Sequence, residues 1–176
     1  MDYHNPSAGV AKIALGRYPA STSPRKGIIL VNPGGPGSPG VQMATEYGAH
    51  LHTLLGTDYD IIGFDPRGVG RSTPRVNCFG NRAQRDVFRA NTVLERGFEH
   101  AQNASDPRVW EDIRRQQREA DTLTRVQFSL CQANMGDTLK YVGSTSVARD
   151  VDFITTVLEG TEALMYVHSK RSRPKS

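Results

Sequence analysis

Two short apolar runs, each breaking into a glycine-rich loop, constrain the fold more than any other feature. Residues 27–31 (GIILV) run into Asn32-Pro33-Gly34-Gly35-Pro36-Gly37, and residues 59–64 (YDIIGF) run into Asp65-Pro66-Arg67-Gly68-Val69-Gly70-Arg71-Ser72. A strand-length run that is apolar on both faces must be covered on both sides, which is the situation of a strand inside a parallel sheet. Between the runs, Val41, Ala44, Gly48, Leu51 and Leu55 share one helical face, and Gly56 supplies the stop. Strand, glycine loop, helix, strand and loop in succession predict an α/β fold.

The flanks are read by the same periodicities. Ala11, Ile13 and Leu15 alternate with Lys12, Ala14 and Gly16, predicting a half-exposed strand. Residues 78–140 turn polar and helical: Asp106-Pro107 starts a helix whose inward stripe would be Trp110, Ile113, Ala120, Leu123 and Val126. This stretch reads as a helical excursion within one domain. Ser146 is expected to cap a further helix burying Val147, Val151, Ile154 and Leu158, with Gly160 as its end. Residues 163–167 (ALMYV) begin like a third buried strand, then give way to a basic tail that can neither continue it nor build the next helix. The expectation is one incomplete α/β domain over residues 1–166 and an unrelated tail over 167–176.

The formal charge of +4 in 176 residues resides in that tail, where Lys170, Arg171, Arg173 and Lys175 have no acidic neighbour; the remaining basic residues balance the 18 acidic ones. No nucleic-acid groove is implied for the body, and no run suits a membrane helix or a leader peptide. As it stands the chain would be cytoplasmic, and nothing in it fixes an oligomeric state. Cys78 and Cys131 are compatible with one disulfide or with two reduced thiols. His50 and His52 point to different faces of their helix and make a poor metal pair.

Two chemistries compete for the first loop. Gly35, Gly37 and Gly40 fit GxGxxG, and Asp60, 20 residues beyond Gly40, could meet a ribose, which would make a dinucleotide-binding module. Against this, Pro36 and Pro39 remove N–H groups where a pyrophosphate needs them, and Asp60 begins its strand instead of ending it. The alternative is an oxyanion hole, in which an acyl oxygen approaches backbone N–H groups that side chains must not obstruct.

Here a family resemblance becomes specific. Pro33-Gly34-Gly35-Pro36-Gly37 resembles the HGGPG loop of α/β-hydrolases of the proline iminopeptidase and tripeptidyl aminopeptidase kind, with Pro33 in place of the histidine. Asp65-Pro66-Arg67-Gly68-Val69-Gly70-Arg71-Ser72 is similar to that family's DxRGxGxS loop, and residues 141–152 resemble the helix preceding its nucleophile strand. The resemblance implies an exopeptidase-like serine hydrolase acting on small peptide or related acyl substrates, with no cofactor. Gly34 or Gly35 would be the oxyanion donor, and Asp65, Arg67, Gly68, Gly70 and Ser72 would form a supporting loop in which Arg67 braces structure. It also implies secreted relatives, a context in which Cys78 and Cys131 would pair, closing a loop worth about 3–4 kcal/mol, and Asn103, in an Asn-Ala-Ser sequon, would be glycosylated. Without a leader of its own, this chain's thiols would stay reduced.

The reacting half is not legible. No GxSxG occurs, and Ser169, close to the expected nucleophile position, is flanked by Val167 and Arg171 where small residues are needed. No acid or histidine follows. The reading is therefore of a hydrolase portion inactive alone, non-catalytic or serving as an interaction fragment, prone to aggregate or to bind hydrophobic dyes. Because valine codons begin with GT, as most introns do, the nucleotides around Val167 are expected to show that residues 168–176 are unspliced or mis-assigned frame.

Overall fold

The computed structural model describes all residues except 36, 100–105, 107, 161–165 and 169–176, and of residues 166–168 the backbone alone. It comprises two units, Met1–Arg75 with Lys140–Ser176, and Val76–Leu139.

The first unit is an α/β assembly. Strands β1 (Leu15–Tyr18), β2 (Gly27–Asn32), β3 (Tyr59–Phe64) and β4 (Tyr166–His168) form one sheet in the order β1-β3-β2-β4. β2 runs parallel to both β3 and β4, and β1 is antiparallel to β3 with Leu15 opposite Phe64. Every residue of β2 is buried, as a strand covered on both faces requires. Its side chains alternate between two cores. Ile28 and Leu30 join Ile62, Phe64 and Ile154, the last from helix α5 (Ser144–Glu159). Ile29 and Val31 join Ile61 and, from helix α1 (Gly40–Leu55), Ala44 and Leu51. The sheet is thus sandwiched between α1 and α5, the mixed α/β architecture expected of part of an α/β-hydrolase.

Glycines set how closely α1 lies. A Cβ at Gly63 would be 1.9 Å from the Gly40 carbonyl oxygen, and one at Gly48 would be 2.3 Å from the Tyr18 ring. Helix and sheet therefore meet backbone to backbone, a separation that even one methyl group would prevent.

Four local expectations are corrected. The strand expected from Ala11 begins only at Leu15, because the preceding residues pair with the loop after β3: Ala14 N–H donates to Ser72 Oγ at 2.8 Å, and Asp65 N–H to the Ala14 carbonyl at 3.0 Å. Helix α5 starts at Ser144 behind Gly143, two residues ahead of the expected cap. In the second unit, helices α2 (Arg82–Arg89) and α3 (Val93–Arg96) accompany the long helix α4 (Arg108–Met135). The stripe assigned to α4 is not a core: Trp110 is 63% exposed and Val126 44%, while the buried positions are Val109 and Cys131. Short α3 covers little of a 28-residue helix, and it meets α4 partly through polar contacts such as Val93 N–H to Glu119 Oε1 at 2.9 Å. Cys78 and Cys131 form a disulfide, so the thiols are not free.

Candidate functional site

Both glycine loops leave the carboxyl ends of neighbouring parallel strands, where α/β sheets place their ligands. In the first loop, Gly34, Gly35 and Gly37 have φ of 74°, 125° and 98°, a backbone that residues with a Cβ rarely adopt. The loop is organised by Asn32, the last residue of β2, which is buried and accepts Gly34 N–H on Oδ1 at 2.7 Å. Sequence reading held Gly34 and Gly35 equivalent; in the structure Gly34 N–H already has a partner, whereas Gly35 is exposed and its N–H has no acceptor among the described residues. Pro36 lies outside the described residues.

The second loop holds the first from behind. Asp65, 1% exposed, accepts Val41 N–H on Oδ1 and Arg71 N–H on Oδ2, each at 3.0 Å. Pro39 at the N-cap of α1 has no side chain able to cap, so a carboxylate from the neighbouring strand end meets an orphan amide and the positive end of the helix. Gly70 is required by that carboxylate: its φ is 54°, and a Cβ there would lie 2.2 Å from Asp65 Oδ2. Ser72, fully buried, donates Oγ–H to the Asp65 carbonyl at 2.6 Å, and Gly68, at φ 82°, turns the chain between them. The two motifs therefore form one device, a cross-link that the sequence gives no means of seeing.

Arg67 is the brace of this device. Its guanidinium meets Asp150 of α5 through Nε to Oδ2 and Nη2 to Oδ1, both 2.7 Å, with the two side chains 2% and 4% exposed. Nη1 donates to the carbonyls of Met1 and of Tyr141, the latter at 3.1 Å. Tyr3 donates its hydroxyl to Asp150 at 2.8 Å, with the Arg67 guanidinium carbon 5.7 Å from its ring centroid. Its donors are turned inward on protein groups, and the hydrogen bond to Asp150 raises its pKa further. Burial, then the hydrogen bond to the Asp150 carboxylate, pushes the Tyr3 phenol up to about 12. Tyr3 and Asp150 went unrecognised as partners in the sequence because each is far along the chain from Arg67.

The geometry removes the dinucleotide reading. Asp60 faces Ile28 at the amino end of the strand pair, four residues before the edge where the glycine loop begins. Its carboxylate is taken by Arg17 at 2.9 Å, Arg25 at 3.3 Å and Ala20 N–H at 2.7 Å. Gly40 is the first residue of α1, packed on Phe64, and is not open to a phosphate. Asn103 and Ser169 lie outside the described residues; of the tail expected over 167–176, Val167 and His168 continue β4, against expectation, and residues 169–176 lie outside the described residues. Among the described residues no helix is long and apolar enough to cross a membrane.

Beside Arg67 and Asp150 opens a cavity of about 530 Å³, bordered by Val10, Ile13, Leu15, Phe153, Val157 and Leu158. Phe153 and Val157 are 59% and 64% exposed, so α5 presents an apolar face outward as well as inward.

No family model matches the chain. Curated relatives do. The chain is 36% identical over 161 residues to carboxylesterase B of Mycobacterium tuberculosis, covering 88% of this chain and 26% of that protein. It is 32% identical over 171 residues to the serine protease Hip1 of M. tuberculosis (95% of this chain, 29% of the relative). It is 30% identical over 171 residues to the tripeptidyl aminopeptidase of Streptomyces coelicolor (95% and 28%). The chain thus spans under a third of the length of these relatives. At 30–36% identity, and with both motifs at one edge of a parallel β-α-β unit, the chain is similar to proteins named carboxylesterase, serine protease and tripeptidyl aminopeptidase, as an N-terminal α/β-hydrolase-like portion would be.

Proposed function

We propose that the chain is the N-terminal portion of a serine α/β-hydrolase, carrying the oxyanion side of a site that cleaves peptide or related acyl bonds. The observation that carries this reading is exposed Gly35 at the carboxyl end of β2, its N–H without an acceptor among the described residues while Asn32 occupies Gly34 N–H. Gly35 is then the donor to the acyl oxygen, and Asp65, Gly70, Ser72 and Arg67 hold the loop against α1 and α5. The relatives' names, carboxylesterase, serine protease and tripeptidyl aminopeptidase, support acyl transfer as the reaction class.

The sequence holds no GxSxG, so nucleophile, acid and histidine must come from outside these 176 residues. An oxyanion donor alone leaves only weak residual catalysis. The purified chain is expected to turn over neither aminoacyl nor ester reporters and to resist fluorophosphonate labelling; turnover together with labelling of Ser169 would overturn the proposal. The outward apolar face of α5 supports the same reading, since an uncovered patch of that kind marks a surface made for further polypeptide. A hydrophobic dye should bind the isolated chain strongly, and a chain that leaves the dye dark would speak against it.

A further inference from the structure

Asn32 is used by no step described so far except as an anchor, yet its chemistry is specific. It sits at the end of β2, 6% exposed, with its backbone at the register position opposite His168 and its Oδ1 taken by Gly34 N–H at 2.7 Å. An aspartate would fit the same space and make the same turn, since both residues accept from the backbone two positions on. The difference is charge: a carboxylate would set a full negative charge within one peptide of the amide meant to receive an oxyanion, in a low-dielectric setting where like charges repel strongly.

We propose that Asn32 is a positioning residue of the oxyanion loop: its neutral carboxamide withdraws Gly34 from the donor set, leaves Gly35 N–H as the donor presented to the ligand, and keeps the loop receptive to an anionic oxygen. The role rests on the oxyanion reading above, extending it from the donor to the residue that selects the donor.

The test uses the isotopically labelled 176-residue chain, observed amide by amide, as wild type, Asn32→Ala and Asn32→Asp. In the wild type, Gly34 N–H should exchange with solvent about tenfold more slowly than Gly35 N–H, the effect of one net hydrogen bond, and sodium acetate, a carboxylate probe, should shift the Gly35 amide saturably. Asn32→Ala should erase the Gly34 protection while Ile29, Val31 and Ile61 keep theirs. Asn32→Asp should restore that protection yet abolish the acetate response, a split that a merely structural role would not produce. The assignment fails if Gly34 and Gly35 exchange alike in the wild type, or if Asn32→Ala leaves Gly34 protected. It fails equally if Asn32→Ala releases the sheet amides with Gly34, or if Asn32→Asp binds acetate as the wild type does. A protected Gly34 in a wild type whose Gly35 ignores acetate would sink the oxyanion reading, and the positioning role with it, while keeping the turn; the two failures are thereby told apart.

Discussion

Arg67 and Asp150 form a buried, bidentate ion pair, and the worth of such a pair shows in what happens when half of it is removed. Arg67→Ala leaves the Asp150 carboxylate facing only the Tyr3 hydroxyl, and we expect a loss of about 3–5 kcal/mol in denaturant unfolding. Arg67→Ala with Asp150→Ala should lose less than the sum of the single changes, because no charge is then stranded. Tyr3 adds a pH dependence. Its folded pKa, near 12, lies above the ordinary tyrosine value near 10, so the fold favours the neutral phenol. That contribution is whole below about pH 10 and disappears as the pH climbs towards 12. Tyr3→Phe should flatten this part of the alkaline slope in a series of urea midpoints. Sequence reading favoured a bracing role for Arg67 over substrate contact but could not name partners, since Asp150 looks in sequence like any solvated helix acid.

At the scale of elements, periodicity located β2, α1 and β3 almost to the residue, because those segments are buried on the faces their patterns define. It located α4 but not its buried positions, because that helix has apolar residues and too little partner surface to cover them, and it misplaced β1, where alternation marked an extended segment without telling a loop partner from a strand partner. The closeness of α1 to the sheet was likewise invisible, since Gly63 meets Gly40, and Tyr18 meets Gly48, only in space. Gly63→Ala should cost about 1–3 kcal/mol or more by overpacking against Gly40 and Ala44. Gly143→Ala meets open space at negative φ and should cost less, about 0.5–1 kcal/mol, because alanine is a poorer N-cap than glycine. Thermal melts of the two variants make the comparison.

For the molecule as a whole, the two units draw their stability from different sources. The first has two apolar cores around a sheet, whereas in the second the buried apolar residues are Cys78, Val93, Val109 and Cys131. Its disulfide joins positions separated by 53 residues, a loop whose closure is worth about 4 kcal/mol on the chain-entropy model. Reduction should therefore loosen residues 76–139 while amide protection in β2 and β3 persists, as hydrogen exchange with and without reductant would show.

The strand order has a consequence in time. During synthesis β1 emerges before β2 and α1, yet the strand it pairs with is β3, made only after both. Until then its amides must stay hydrated, and the β2-α1-β3 unit, local in sequence, has to close before the N-terminal segment finds its edge. Refolding kinetics should carry that order: Ile61→Val, inside the unit, should slow folding, whereas Tyr18→Ala, on the late-arriving strand, should chiefly hasten unfolding. β1 thus reaches solvent before its partner exists and has to wait there for it.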